Sequence, residues 1–179
     1  MSPEKEPQPR FIVEKMSPDD VEPATEMRYK CWLDTYVNEE YGITPEWIET
    51  CFARQFTPEV IETRKQRLKD AEHHAGFVAK DLNGDIIGST TPYIDEDGLQ
   101  DVGSLYVKNE WRGKGVSYEL MQNAIDWFDK TQPIKLCVAS YNERAKAFYQ
   151  KWGFEIVPDS QYVHSDKIPT EIMIRKGDE

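Results

Sequence analysis

Residues 112–117, Arg-Gly-Lys-Gly-Val-Ser, put two cations and two glycines in one turn just before a helical pattern. Glycine lacks a Cβ, so such a turn can take φ > 0 and let several backbone N–H groups converge. At a helix N-terminus those donors are unpaired, and the helix dipole favours an anion beside them. Arg112 and Lys114 add positive charge to what reads as a phosphate cradle. A Walker A loop requires G-x-x-x-x-G-K-[ST], and Gly115 is followed by Val116, so that reading fails. A dinucleotide fingerprint starting at Gly113 would place Tyr118 where its third glycine belongs. It would also follow a late meander, not an opening βαβ unit, so it fails as well.

A second segment, residues 137–154, reads CVASYNERAKAFYQKWGF. Taken with Arg112-x-x-Gly115-x-Ser117, it resembles the GNAT superfamily of acyl-CoA-dependent N-acyltransferases. The first motif matches that family's [QR]-x-x-G-x-[GA], with Ser117 in place of the last small residue. The second resembles strand-x-N-x-x-A-x-x-F-Y-x-x-x-G-F, and one helix and one strand separate the two, as in the family. The resemblance runs in element order over residues 11–176 and is most specific over 105–154.

That resemblance implies a set of roles. Pantetheine would lie in a gap between the family's fourth and fifth strands, against the backbone of Leu105, Tyr106 and Val107. A backbone N–H there would also polarise the thioester carbonyl. The pyrophosphate would sit on Arg112, Gly113, Lys114, Gly115, Val116 and Ser117. Asn142 would hydrogen-bond the cofactor arm, although capping the following helix is reason enough for an Asn at that place. Tyr149 resembles the family's general acid, since a phenol with a pKa of about 10 stays protonated at neutral pH and can give its proton to a departing thiolate. Asp101, the acid within residues 99–107, resembles the position of a general base; an ordinary Asp after an acidic turn is the other reading. The acceptor pocket would involve Trp32, Tyr36, Glu39, Glu40 and Tyr41, with Trp47, Tyr162 and His164 near it. Trp32 and Trp47 also suit a core, and Glu39–Glu40 suits a solvated surface. Were that acidic pair to face the pocket, a cationic acceptor would follow. Cys137 falls in a strand read as buried, which argues against an acyl-cysteine route.

The elements that must hold these residues follow from hydrophobic period and turn chemistry. Residues 11–15 alternate as a strand. Ser17-Pro18, Thr44-Pro45 and Thr57-Pro58 each open a helix, the first running to about Val37 and the third to about Asp70. Strands are expected over 76–81, 85–94 and 99–107, with a tight turn at Asn83-Gly84. A helix follows over 116–130, a strand over 133–139, and a helix over 142–152 that ends on Gly153. Residues 154–157 and 171–176 form two last strands around a polar loop, 158–170. The fold class expected is α/β of the α+β kind. It is a mixed, mostly antiparallel sheet of about six or seven strands flanked by helices, splayed between the family's fourth and fifth strands. Residues 1–10 read as a flexible leader and 11–179 as a single acetyltransferase domain.

Composition narrows the partners. The 179 residues carry a net charge of −11, which disfavours nucleic acid and anionic membrane. Residues 108–151 hold eight Lys/Arg against five Asp/Glu, a cationic island in an acidic chain. No apolar run approaches the roughly 18 residues of a membrane span. Three cysteines without a C-x-x-C spacing imply neither a disulfide framework nor a metal site, and suit a cytoplasmic setting. The expectation is therefore an enzyme, monomer or homodimer, that uses acetyl-CoA as co-substrate and needs no metal. It would transfer the acetyl group to a primary amine by direct attack. The alternative is a sensor module that binds acyl-CoA without turnover.

Overall fold

A computed structural model describes residues 10–178, so all of the expected leader but Arg10 lies outside the described residues. Strand β1 (Phe11–Lys15) leads to Ser17, whose N–H and hydroxyl both donate to the Asp20 carboxylate. The turn so closed opens helix α1 (Val21–Tyr36). Helices α2 (Pro45–Ala53) and α3 (Pro58–Arg67) begin as their sequence demands: Thr44 Oγ1 accepts from Trp47 N–H, and Thr57 Oγ1 from Val60 N–H. Helix α3 stops at Arg67, short of the expected Asp70, in a run of turns that leads to strand β2 (Phe77–Asp81).

The two segments expected as long single strands each break in the middle. The first yields β3 (Ile86–Thr90) and β4 (Tyr93–Ile94); the second yields β5 (Gln100–Asp101) and β6 (Leu105–Val107). Pro92 interrupts the first, having no N–H for a ladder. Gly103, at φ +69°, interrupts the second, and a Cβ on it would lie 2.3 Å from the Thr91 carbonyl oxygen. Thr91 and Ser104 hold the paired bends together, through Thr91 N–H to the Ser104 carbonyl (3.1 Å) and a hydroxyl–hydroxyl bond of 2.7 Å. Gly103→Ala should lower stability by about 3 kcal/mol, summing left-handed strain and the steric overlap. Urea denaturation checks this, and a loss below about 1 kcal/mol would show that the bend gives way easily.

The break divides the strands between two sheets. The remaining elements are α4 (Val116–Trp127), β7 (Ile134–Ala139), α5 (Glu143–Lys151), β8 (Phe154–Ile156), β9 (Tyr162–His164) and β10 (Ile168–Arg175). One sheet has the order β1-β2-β3-β6, all antiparallel. The other has β4-β5-β7-β10-β8, with β9 also on β10, and only β5–β7 is parallel. The expected polar loop 158–170 is thus partly a hairpin, its turn made by Ser165 and Asp166 at positive φ. Helix α4 spans both sheets. Val116 and Leu120, fully buried, pack on Phe77, Ala79, Ile87 and Val107 of the first sheet, while Met121 and Ile125 pack on Ile134, Leu136 and Met173 of the second. On the opposite face of the first sheet, Ala24, Met27 and Cys31 of α1 cover Val78 and Ile86.

Candidate active site

Strands β6 and β7 belong to different sheets: the chain ahead of β6 is last bonded to β7 at Val102, whose N–H donates to the Lys135 carbonyl, and the two diverge from there. A cleft of about 400 Å³ opens between them. Lys108 N–H donates to the Ile87 carbonyl opposite it, and hydrogen-bonded pairs alternate along an antiparallel ladder. Tyr106 is therefore paired to β3, whereas the N–H and C=O of Leu105 and Val107 point toward the cleft. The expected role of the 105–107 backbone has this edge to work with. Leu105, Tyr106 and Val107 all line the cleft.

The glycine turn stands at one end. Gly113 (φ +72°) and Gly115 (φ +89°) occupy left-handed backbone, and Gly115 is the N-cap of α4. Around the position of a Cβ on Gly115 only Phe11 Cζ comes within 4 Å, at 3.9 Å, so the conformation and not crowding asks for glycine. The N–H groups of Val116, Ser117 and Tyr118 have no acceptor among the described residues. The Arg112 side chain turns inward, donating to the Val107 carbonyl (3.3 Å), Asn109 Oδ1 (3.0 Å) and Thr35 Oγ1 (3.0 Å). It fastens the loop to β6 and α1. Arg112, Gly113 and Ser117 line the cleft. Val116 has its side chain in the core, so only its backbone faces the turn, and the Lys114 ammonium lies over the Trp111 ring. Arg144 and Lys151 of α5 complete the cationic rim. Burial, and then the nearby Arg112, push the Arg144 guanidinium below its ordinary pKa, a conflict that an anion between them would relieve.

Asn142 caps α5 by accepting from Ala145 N–H (3.1 Å), and it lines the cleft as well. Tyr149, two turns further along α5, reaches the other end. Its ring packs edge-on against Phe148 and Phe154, and burial, then Tyr106, hold its phenol well above the ordinary tyrosine pKa. Two more phenols converge there. Tyr36 and Tyr106 hydroxyls are 3.3 Å apart, and Trp32 Nε1 donates to Tyr106 Oη at 3.0 Å. Tyr36 is likewise raised, by burial and then by Tyr106.

Asp101 is placed elsewhere. It is buried in β5 and does not line the cleft; its carboxylate accepts from Lys135 Nζ (3.1 Å), Tyr93 Oη (3.2 Å) and Gly103 N–H (2.8 Å). Burial and the Asp101 charge push Tyr93 up to about 12. This geometry makes Asp101 an anchor of the strand break and gives the expected base role no support. Neither do Glu39 and Glu40 face the cleft; they are exposed in a short turn, and Tyr41, stacked on Tyr141, does not line the cleft either. Trp32 packs on Tyr36 and Phe52, with His164 at 6.4 Å, and Lys167 rather than the cleft occupies the Trp47 face. Cys137 corrects another expectation: its side chain is exposed and lines the cleft. Thr35, Ser104 and Phe148 also line it. Only Phe148, beside Tyr149 in the second motif, carried a signal in the sequence.

The chain matches the model of the acetyltransferase (GNAT) family over residues 27–154. No curated protein matches significantly. Among solved structures it resembles the PaiA N-acetyltransferase of Thermoplasma acidophilum in complex with coenzyme A, at TM-score 0.75 and 21% identity over 93% of this chain and 98% of that one. An acetyltransferase of the GNAT family from Streptococcus pneumoniae gives 0.73 and 19%, over 94% and 99%. A GNAT superfamily phosphinothricin acetyltransferase from Sinorhizobium meliloti, in complex with AcCoA, gives 0.69 and 18%, over 94% and 89%.

Proposed function

Because the chain belongs to the acetyltransferase (GNAT) family and has its fold, we propose that it moves an acetyl group from acetyl-CoA to a primary amine by direct transfer. The observation that carries this reading is the position of Tyr149. A protonated phenol stands in the gap between two diverging strands, with the free donors of α4 at the other end of the same cleft. The residues fit the co-substrate. The α4 turn and the Arg112–Arg144–Lys151 rim suit phosphates, and the Leu105 and Val107 edge suits an amide-bearing arm. Acetyl-CoA, once bound, supplies the activated acyl group. The Val107 or Leu105 N–H stabilises charge building on the carbonyl oxygen, and Tyr149 delivers its proton to the sulfur as the C–S bond breaks. Among the described residues, no Asp, Glu or His lines the cleft. The ammonium proton of the acceptor therefore passes to solvent, and the Tyr36–Tyr106 hydroxyl pair can relay it by accepting one proton while releasing another.

The same lack of a carboxylate favours the rival reading, an acyl-CoA-binding sensor. Thiol release from acetyl-CoA with a panel of primary amines separates the two. The transferase reading expects amine-dependent release above the hydrolytic background. Tight CoA binding with no release on any amine would leave the sensor. Among the described residues no helix is long and apolar enough to cross a membrane. Three free cysteines support a cytoplasmic setting.

A further inference from the structure

A second cavity, about 480 Å³, lies between the start of α1, helix α3 and the paired bends at Thr91–Tyr93 and Gly103. Arg28, Arg64 and Arg67 line it, and among the described residues no carboxylate does. The chain has 33 acidic residues to 22 basic ones, yet none of these three arginines has a carboxylate partner among the described residues. Among the described residues Arg28 donates only to Gln55 Oε1, at 3.5 Å, and its buried Nε has no acceptor. Arg64 donates to Thr25 Oγ1 (2.8 Å) and to the same Gln55 oxygen. Arg67 is exposed at the mouth. The strain of this grouping is visible in Arg64, pushed down to about 10 by burial and then by Arg28 and Arg67. A buried guanidinium donor without a partner is destabilising, because its lost hydration is not replaced. Three cations facing one cavity, one with an idle donor, are what an anion with several acceptor oxygens would satisfy. Met16, Leu68, Pro92 and Tyr93 supply an apolar floor, so the cavity suits an anionic group on an organic body better than a bare ion.

The cavity adjoins the cleft. Gly103 lines both, and the hydroxyl of Thr91, which lines the cavity, is bonded to that of Ser104, which lines the cleft. Arg28 is near enough to Tyr106 for the phenol to bear on its titration. We propose that the Arg28–Arg64–Arg67 cavity receives the anionic end of the acceptor, so that the acceptor is an amine carrying a carboxylate or phosphoryl group. This rests on the acyl-transfer reading above, and it reverses the cationic acceptor that an inward-facing Glu39–Glu40 pair would have implied.

Two measurements test it. The first is thermal unfolding with inorganic phosphate, on protein already saturated with CoA so that the α4 turn is filled. Several multiples of the dissociation constant should raise the Tm by about 2–4 °C, and Arg64→Gln or Arg67→Gln should remove the rise. CoA calorimetry verifies that each variant is folded; Arg67, exposed and with no side-chain hydrogen bond among the described residues, is the safer of the two. The second compares kcat/KM for O-phosphoethanolamine with ethanolamine, and for β-alanine with its amide. The anionic member of a pair should be preferred, and Arg67→Gln should cut that preference about tenfold, the loss of one charge-assisted contact. Lys130→Gln, in the turn beyond the far end of α4, should leave the preference unchanged. No preference for either anionic amine, or a preference and a phosphate effect that survive both substitutions, would overturn the proposal. Phosphate binding through the arginines together with turnover of neutral amines alone would also overturn it, by making the anion something other than the acceptor. Failure of the acyl-transfer reading shows separately, as no thiol release with any amine; in that event a missing phosphate effect still sinks the anion site.

Discussion

Replacing Gly115 with glutamate is expected to abolish CoA binding while leaving the chain folded. The residue sits at φ +89°, where a side chain costs about 1–2 kcal/mol, but the space around its Cβ is open, so the substitution is strained and not excluded. The carboxylate it adds stands at the free N–H groups of Val116, Ser117 and Tyr118. It can take the helix-terminal donors that a phosphate would take, and it repels the phosphate by roughly 1–4 kcal/mol at contact distance, depending on local screening. Calorimetry should show no measurable CoA heat. Gly115→Ala provides the comparison, carrying the same backbone strain without the charge, and should retain binding within about tenfold. Unchanged CoA affinity in folded Gly115→Glu would mean that the phosphates lie elsewhere.

Tyr149→Phe should preserve the fold and the affinity for acetyl-CoA yet lower kcat by about 10²–10³, as expected when a positioned acid is removed; that is roughly 3–4 kcal/mol of barrier. The ring stays, so its packing on Phe148 and Phe154 is kept and the hydroxyl alone is lost. The pH dependence has a definite sign. Burial raises the Tyr149 pKa, so the proton-bearing form persists past the ordinary tyrosine value of about 10. The rate should therefore show no decline from this group between pH 7 and about 10. Initial rates at saturating amine, with thiol release followed directly, check both points. A kcat equal to the parent's, with chemistry rate-limiting, would reduce the phenol to a packing residue.

The parts of this site legible in sequence were those whose chemistry is local. Gly113, Gly115 and the Asn142 cap announce themselves because left-handed turns and helix starts constrain the residues that make them. Proline after threonine marked α2 and α3 for the same reason. The passage of residues 85–94 and 99–107 from one sheet to the other was not legible. Hydrophobic alternation continues across Pro92 and Gly103, and only the partner strands decide where pairing ends. The setting of Asp101 was not legible because its partner, Lys135, arrives from a different strand. The cationic island was partly misleading in the same way: Lys135 and Lys146 are spent on Asp101 and Glu171, leaving Arg112, Arg144 and Lys151 at the cleft. A net charge of −11 hid the three-arginine cavity altogether, since an average over the chain says nothing about which charges meet.

The unpaired edge of β6 has a bearing on how copies of this chain behave toward one another. A row of free N–H and C=O groups recognises an extended chain by its backbone alone, and a strand of a neighbouring molecule offers the same pattern as a pantetheine arm. Open sheet edges are where soluble proteins begin to aggregate. Here the edge is three residues long, lies recessed in the cleft beside Tyr36, Phe148 and Tyr149, and belongs to a strongly anionic molecule. Shortness, recess and mutual repulsion keep other strands away from the surface proposed above for the pantetheine arm. The acidity of this protein thus acts as a colloidal safeguard for a sheet that is deliberately left unfinished.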